Sequence, residues 1–152
     1  LDPVLQQSVE PGTPTPRARL DLIRAITDAG LGCTVLVAPV LPWLTDSHEH
    51  LDALLAEIAA AGARDVHVMA LHLRGAVKPW YLQWLAGYRP DLVGRYRRLY
   101  GSSAQASPAY REWLRARVEP LRAAHGFTRR PSWRPGPAPT AVEPDAVQGA
   151  LF

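Results

Sequence analysis

A chain of 152 residues is long enough for one domain of ordinary size, but its composition changes sharply along its length. It contains no apolar run of the eighteen or so residues that a membrane helix needs, and its start has neither the charged nor the apolar region of a secretory leader. The net charge of +3 hides a sharp asymmetry: residues 1–86 carry −3, residues 87–135 carry +8, and residues 136–152 carry −2. A single cysteine, Cys33, excludes an intramolecular disulfide framework and suits a reducing cytoplasm, which is the expected location. The absence of an initial Met leads to the expectation that the chain begins inside something longer.

In chain order, Pro14 and Pro16 precede a helical period formed by Leu20, Ile23, Ile26 and Leu31. Thr13 or Thr15 can cap its start, and Gly30 sits where a C-terminal glycine belongs. Cys33 to Ala38 is continuously apolar and predicts a strand buried on both faces, stopped by Pro39 and Pro42. Asp46 and Glu49 have the spacing of a capping box, and Leu51, Leu54, Leu55 and Ile58 follow on one helical face that ends at Gly62. Val66 to Leu73 predicts a second buried strand, so the middle of the chain reads as a parallel crossover unit. Val77 to Leu85, Pro90 to Tyr100 and Ser107 to Ala124 predict helices. From Gly126 onward the Pro-rich composition predicts a disordered tail.

The domain reading divides the chain into residues 1–86 as the closing part of an α/β unit, 87–125 as a basic helical extension, and 126–152 as the tail. Two parallel strands cannot protect both faces and both edges of a sheet, so partners supplied from upstream are expected. A truncated α/β barrel or sheet is the economical reading.

The residues Glu10-Pro11-Gly12-Thr13-Pro14, Pro16-Arg17 and Arg19-Leu20, then Ala29-Gly30, then Val37-Ala38-Pro39-Val40, Pro42 and Leu44-Thr45-Asp46 form an ordered series. Ala61-Gly62-Ala63 and Ala70-Leu71-His72-Leu73-Arg74-Gly75 continue it. The series resembles radical S-adenosylmethionine (SAM) proteins of the spore photoproduct lyase-like branch, often labelled DNA repair photolyases, and is most similar to their mycobacterial-type subfamily. The likeness covers roughly residues 1–100. It implies the C-terminal portion of a partial (β/α)6 TIM-like barrel, in which the two strands here are the fifth and sixth, followed by helices and the tail. It also implies a 4Fe–4S cluster held by a three-cysteine loop, with SAM as the source of a 5′-deoxyadenosyl radical. That loop is not among these residues, so the chain alone is expected to be inactive and to need the missing N-terminal half of the same protein.

By the same resemblance, Glu10 and Arg19 lie near the SAM pocket, where an arginine can grip the methionyl carboxylate bidentately. A solvated helix-face charge explains Arg19 equally well, and a turn residue explains Glu10. Ligands of such barrels collect at the C-terminal ends of strands, here Ala38, Pro39 and His72. His72 shares a strand face with Val68 and Ala70, and His67 shares the other, so the two histidines cannot hold one metal. Close members of the family often have arginine at the His72 position, which weakens a direct transfer of role. Cys33 reads as packing, and no metal site is expected at Asp46, His48 and His50. Trp80, Tyr81, Trp84 and Leu85, at helical spacing, are expected to be core that seals the barrel.

Between residues 87 and 135, eleven arginines interleave with Tyr88, Tyr96, Tyr100, Tyr110, Trp113 and Trp133. Arginine neutralises phosphate and aromatic rings offer stacking faces, so nucleic acid is a physically reasonable partner. Amphipathic helices with their rings packed inward are the plain alternative. Gln148, Leu151 and Phe152 match the short Gln-x-x-Leu-Phe pattern of peptides that bind the DNA polymerase sliding clamp, on a Pro-rich leash. Two readings follow. One is an enzyme fragment, the SAM-side part of a radical SAM enzyme whose chemistry extends to nucleic acid. The other is a non-catalytic nucleic-acid or clamp-binding module.

Overall fold

The computed structural model describes residues 2–127. In chain order the elements are α1 (Pro3–Val9), α2 (Pro16–Asp28), β1 (Thr34–Val40), α3 (His48–Ala60), β2 (Asp65–Ala70), α4 (Val77–Tyr88), α5 (Pro90–Tyr100) and α6 (Pro108–Ala124). Local chemistry sets most of the boundaries. The Asp2 carboxylate accepts from the Val4 and Leu5 amides, with Pro3 at the first helical position, and starts α1. Thr15 Oγ1 accepts from the Ala18 amide and starts α2. Helix α3 is capped by Ser47, whose Oγ accepts from the His50 amide, rather than by Asp46. Asp46 is instead buried and accepts a hydrogen bond from the Tyr110 hydroxyl at 2.7 Å. The carboxylate is turned toward α6, and the cap falls to the next residue.

β1 and β2 pair in parallel, Thr34 opposite Asp65 through Val37 opposite Val68, joined by α3 as the crossover. After Val37 the register shifts, around a cis Ala38–Pro39 peptide, and Val40 then pairs with Ala70. The main core lies on one face of this pair. Leu20 and Ile23 of α2, Leu51, Leu55 and Ile58 of α3, Val66 of β2, and Leu114, Val118 and Leu121 of α6 pack there together. Phe127, which composition assigns to the tail, is also buried in this cluster.

Two expectations are corrected here. Among the described residues the sheet has two strands in the order β1-β2 and is open, so a partial (β/α)6 barrel does not form. After β2 the chain supplies three helices instead of another strand, and nothing carries the sheet toward closure. The strands are also not buried on both faces. All the packed helices contribute to one side, and on the other side Leu36 is 59% exposed and Met69 43%.

A second core holds α4 and α5 against α1 and the segments that follow the strands. The Tyr81 hydroxyl meets that of Tyr96 at 3.0 Å, Tyr96 donates to the Pro42 carbonyl at 2.8 Å, and Tyr100 donates to the Leu71 carbonyl at 2.8 Å. These hydroxyls satisfy the backbone carbonyls that buried loops would otherwise leave orphaned. Of the aromatic cluster expected to seal a barrel, Tyr81 and Leu85 are buried against α5. Trp84 donates Nε1–H to Ser8 on α1 at 2.8 Å, and Trp80 is exposed. Tyr81 and Leu85 are core, but of a helical layer, Trp84 packs at its margin, and Trp80 is not part of it. No described helix is long and apolar enough to cross a membrane.

Candidate functional site

A cavity of ≈ 220 Å³ runs along the edge of β1 that faces away from β2, between β1 and helices α1, α2 and α3. Its walls include Leu5, Leu20, Ile23, Val35, Val37 and Ile58. Glu10, Arg19, Ala38 and Pro39 also line it, so four of the five residues expected near SAM meet at one place. His72, the fifth, does not. It sits beyond the end of the ladder, where its backbone bridges to Gln105 and Leu73 N–H donates to the Ala104 carbonyl at 2.8 Å. Val68 and Ala70, which share its side of the strand, face the packed helices instead of an open lumen. The reason is topological: the two strands end at different neighbours, β1 at the cavity and β2 at the loop before α6.

At the cavity wall Arg19 is fixed by three acceptors. Nη2 donates to Glu10 at 2.8 Å and to Thr13 Oγ1 at 3.2 Å, and Nε donates to the Pro14 carbonyl at 3.0 Å. The turn that carries Glu10 is itself held by Thr13 Oγ1, which donates to the Glu10 carbonyl at 2.8 Å. Both members of the ion pair remain partly in solvent, so the pair adds little to stability and leaves charge available to a ligand.

Three further residues on this wall are not among those the sequence assigns to the SAM pocket: Gln6, Thr45 and His50. Thr45 Oγ1 accepts from the Leu41 amide at 2.8 Å and shapes the turn after β1. The Gln6 amide nitrogen donates within the Glu10–Thr13 turn, while its Oε1 is buried without a hydrogen-bond partner among the described residues. A buried acceptor left unpaired costs free energy unless a donor reaches it. The only sequence signal for Gln6 is its place one helical turn before Glu10.

Burial pushes the half-buried His50 imidazole below its ordinary value. A depressed histidine favours the neutral form in the folded state. The stability this gives is present above the unfolded value of about 6.5 and is lost as pH falls through it toward the folded value. His50→Gln is therefore expected to flatten the fall in unfolding free energy below about pH 6.5. Urea midpoints measured across that range provide the check, and an unchanged slope would show that other groups set it.

The remaining candidates lie apart from the cavity. Cys33 packs against the main core, and His67 is exposed on the open sheet face. No group of three His, Cys, Asp or Glu residues suited to a metal occurs among the described residues. Gln148, Leu151 and Phe152 lie outside the described residues.

The chain is similar to an uncharacterized protein of Mycobacterium bovis and to one of Mycobacterium tuberculosis. Each is 54% identical over 151 residues, covering 99% of this chain and 44% of the relative. An uncharacterized protein of the Acidianus two-tailed virus is 37% identical over 70 residues, covering 44% of this chain and 23% of its own length. The chain thus spans less than half the length of the curated relatives it matches. No family model and no solved structure matches it.

Proposed function

We propose that this chain is the SAM-binding segment of a longer radical SAM enzyme. The observation that supports the reading is the meeting of Glu10, Arg19, Ala38 and Pro39 at one apolar cavity, although they come from separate stretches of the chain. The chemistry of the donor set fits the ligand. The apolar walls suit the adenosyl face. The methionyl head carries an anion and a cation side by side, and Arg19 and Glu10 present the opposite pair. Gln6 Oε1, without a partner among the described residues, would accept an N–H from the ligand. Neutral His50 keeps like charge away from the sulfonium. Bound SAM would supply a sulfonium carbon that one-electron reduction can release.

The iron–sulfur cluster does not fit these residues. A cluster needs several thiolates, and Cys33 is the single cysteine of the chain. On this reading its ligands, and with them the reaction, lie outside these residues. A cytoplasmic setting goes with this reading. The other expected role, a nucleic-acid or clamp-binding module, draws on α5 and α6, which do not border the cavity, and on the terminal peptide, which lies outside the described residues.

Calorimetric titration of SAM into the chain, carried within a protein of the relatives' full length, tests the proposal. Wild type is expected to bind. Arg19→Met and Gln6→Leu are each expected to weaken binding about tenfold, as loss of a charge-assisted or buried hydrogen bond does. Anaerobic reconstitution should give cluster absorbance and SAM cleavage. Absence of SAM binding, or binding by both variants as tight as that of wild type, overturns the reading.

A further inference from the structure

We propose that Trp43, Trp113 and the arginines around them form a second site, a stacking platform for single-stranded nucleic acid on the face where α5 and α6 meet the loop after β1. Trp43 is the non-glycine residue with positive φ, at 60°. For a bulky side chain that conformation costs on the order of 1–2 kcal/mol, a cost that surroundings sustain where it serves a site. Here it holds the indole outward. The ring is 38% exposed, braced edge-on by Tyr96 at 5.4 Å and flanked by Tyr110 at 6.4 Å. The bracing residues are in turn fixed, Tyr96 by the Pro42 carbonyl and Tyr110 by Asp46.

Trp43 lines two open concavities. One, of ≈ 280 Å³, lies toward Tyr110, Trp113 and Arg117, and the other, of ≈ 370 Å³, lies toward Arg95, Arg98 and Leu99. Arg117 stacks over the Trp113 ring at 4.4 Å, and Arg95 lies over Trp43 at 5.9 Å. Trp113 is 41% exposed. Arg89, Arg115 and Arg122 are paired with carboxylates, whereas Arg95, Arg97, Arg98, Arg111 and Arg117 have no ion-pair partner among the described residues. The carboxylate bordering these concavities, Asp46, is buried and held by Tyr110, so it adds little repulsion at the surface.

The ligand class follows from this arrangement. Guanidinium groups without partners attract phosphate, and exposed rings gain by stacking on bases. A duplex hides its base faces within its own stack, whereas a single strand presents them. The site is separate from the cavity at β1 and does not depend on SAM binding there.

Fluorescence anisotropy with a labelled oligothymidine of about twelve nucleotides tests the proposal on the full chain. Trp43→Gly removes the ring and also relieves the positive φ, so folding is retained while binding is expected to weaken roughly tenfold or more. The combined Arg95→Gln, Arg98→Gln and Arg117→Gln variant is expected to reduce the salt slope by about two, at about 0.7 per phosphate contact. Arg24→Gln, on α2, serves as a control and should leave both unchanged. Preference for the single strand over a duplex of equal length, with these losses, supports the site. Absence of binding at physiological salt, duplex preference, or equal weakening by the control overturns it. SAM titration of the Trp43→Gly variant, expected to match wild type, keeps the two sites distinguishable.

Discussion

Leu55→Ala is expected to destabilise the fold by about 3 kcal/mol, within the range for emptying a buried leucine site. Leu55 is fully buried, at 0% exposure, in the core where α2, α3, α6 and β2 meet. Deleting its isobutyl group removes apolar contacts in the middle of that core, and closely packed neighbours collapse only partly into the space. For a chain of this size the thermal midpoint should fall by roughly 10 °C, and the urea midpoint should fall without change in slope. Leu36→Ala is the informative contrast. The same chemical deletion on the open face of β1 should cost less than about 0.5 kcal/mol, as exposed surface changes usually do. Equal costs at the two positions would show that the two faces of the sheet are not as different as the fold requires.

Tyr96→Phe is expected to cost about 2 kcal/mol, nearly all of it from one missing oxygen. The ring would keep its packing, but the Pro42 carbonyl would lose its donor and the Tyr81 hydroxyl its partner, both inside the second core. The pH dependence has a definite sign. Burial pushes the Tyr81 phenol up to about 12, and the neighbouring Tyr96 hydroxyl moderates that rise. Burial likewise raises Tyr96, Tyr100 and Tyr110 above the ordinary range. Phenols raised in the folded state give stability that is complete below the unfolded value of about 10 and is lost as pH rises through the folded values. The protein should therefore weaken steeply in alkali. In Tyr96→Phe, ultraviolet titration should show Tyr81 ionising later than in wild type. An earlier Tyr81 ionisation would argue against the hydrogen bond.

The elements that local chemistry specifies were legible in the amino-acid order. Leu20 and Ile23, then Leu51, Leu55 and Ile58, then Leu114, Val118 and Leu121 recur at helical spacing, and all eight are buried in one core. Helix α1 was not legible, because Asp2-Pro3 is a start signal with almost no apolar period behind it. Asp46 was misassigned as a cap because its true partner, Tyr110, is supplied by α6. The crossover of β1, α3 and β2 could be inferred, but the expected partial barrel does not form among the described residues, since the number and order of strands in a sheet is a tertiary outcome that no local pattern encodes. The site shows the same division. Glu10, Arg19, Ala38 and Pro39 line one cavity, whereas His72 is separated from them by the different ends of the two strands. Trp43 carried no sequence signal, because positive φ at a tryptophan is a consequence of tertiary bracing.

Among the described residues β1 pairs with another strand on one side only, and Leu36 projects from the same strand into water. Such a margin is a template: the first extended segment to arrive gains a ladder of amide bonds and shelter for a leucine side chain. A neighbouring copy can supply that segment, so self-association should rise with concentration. Lysine in place of Leu36 would act as a gatekeeper, slowing precipitation without touching the buried side of the sheet.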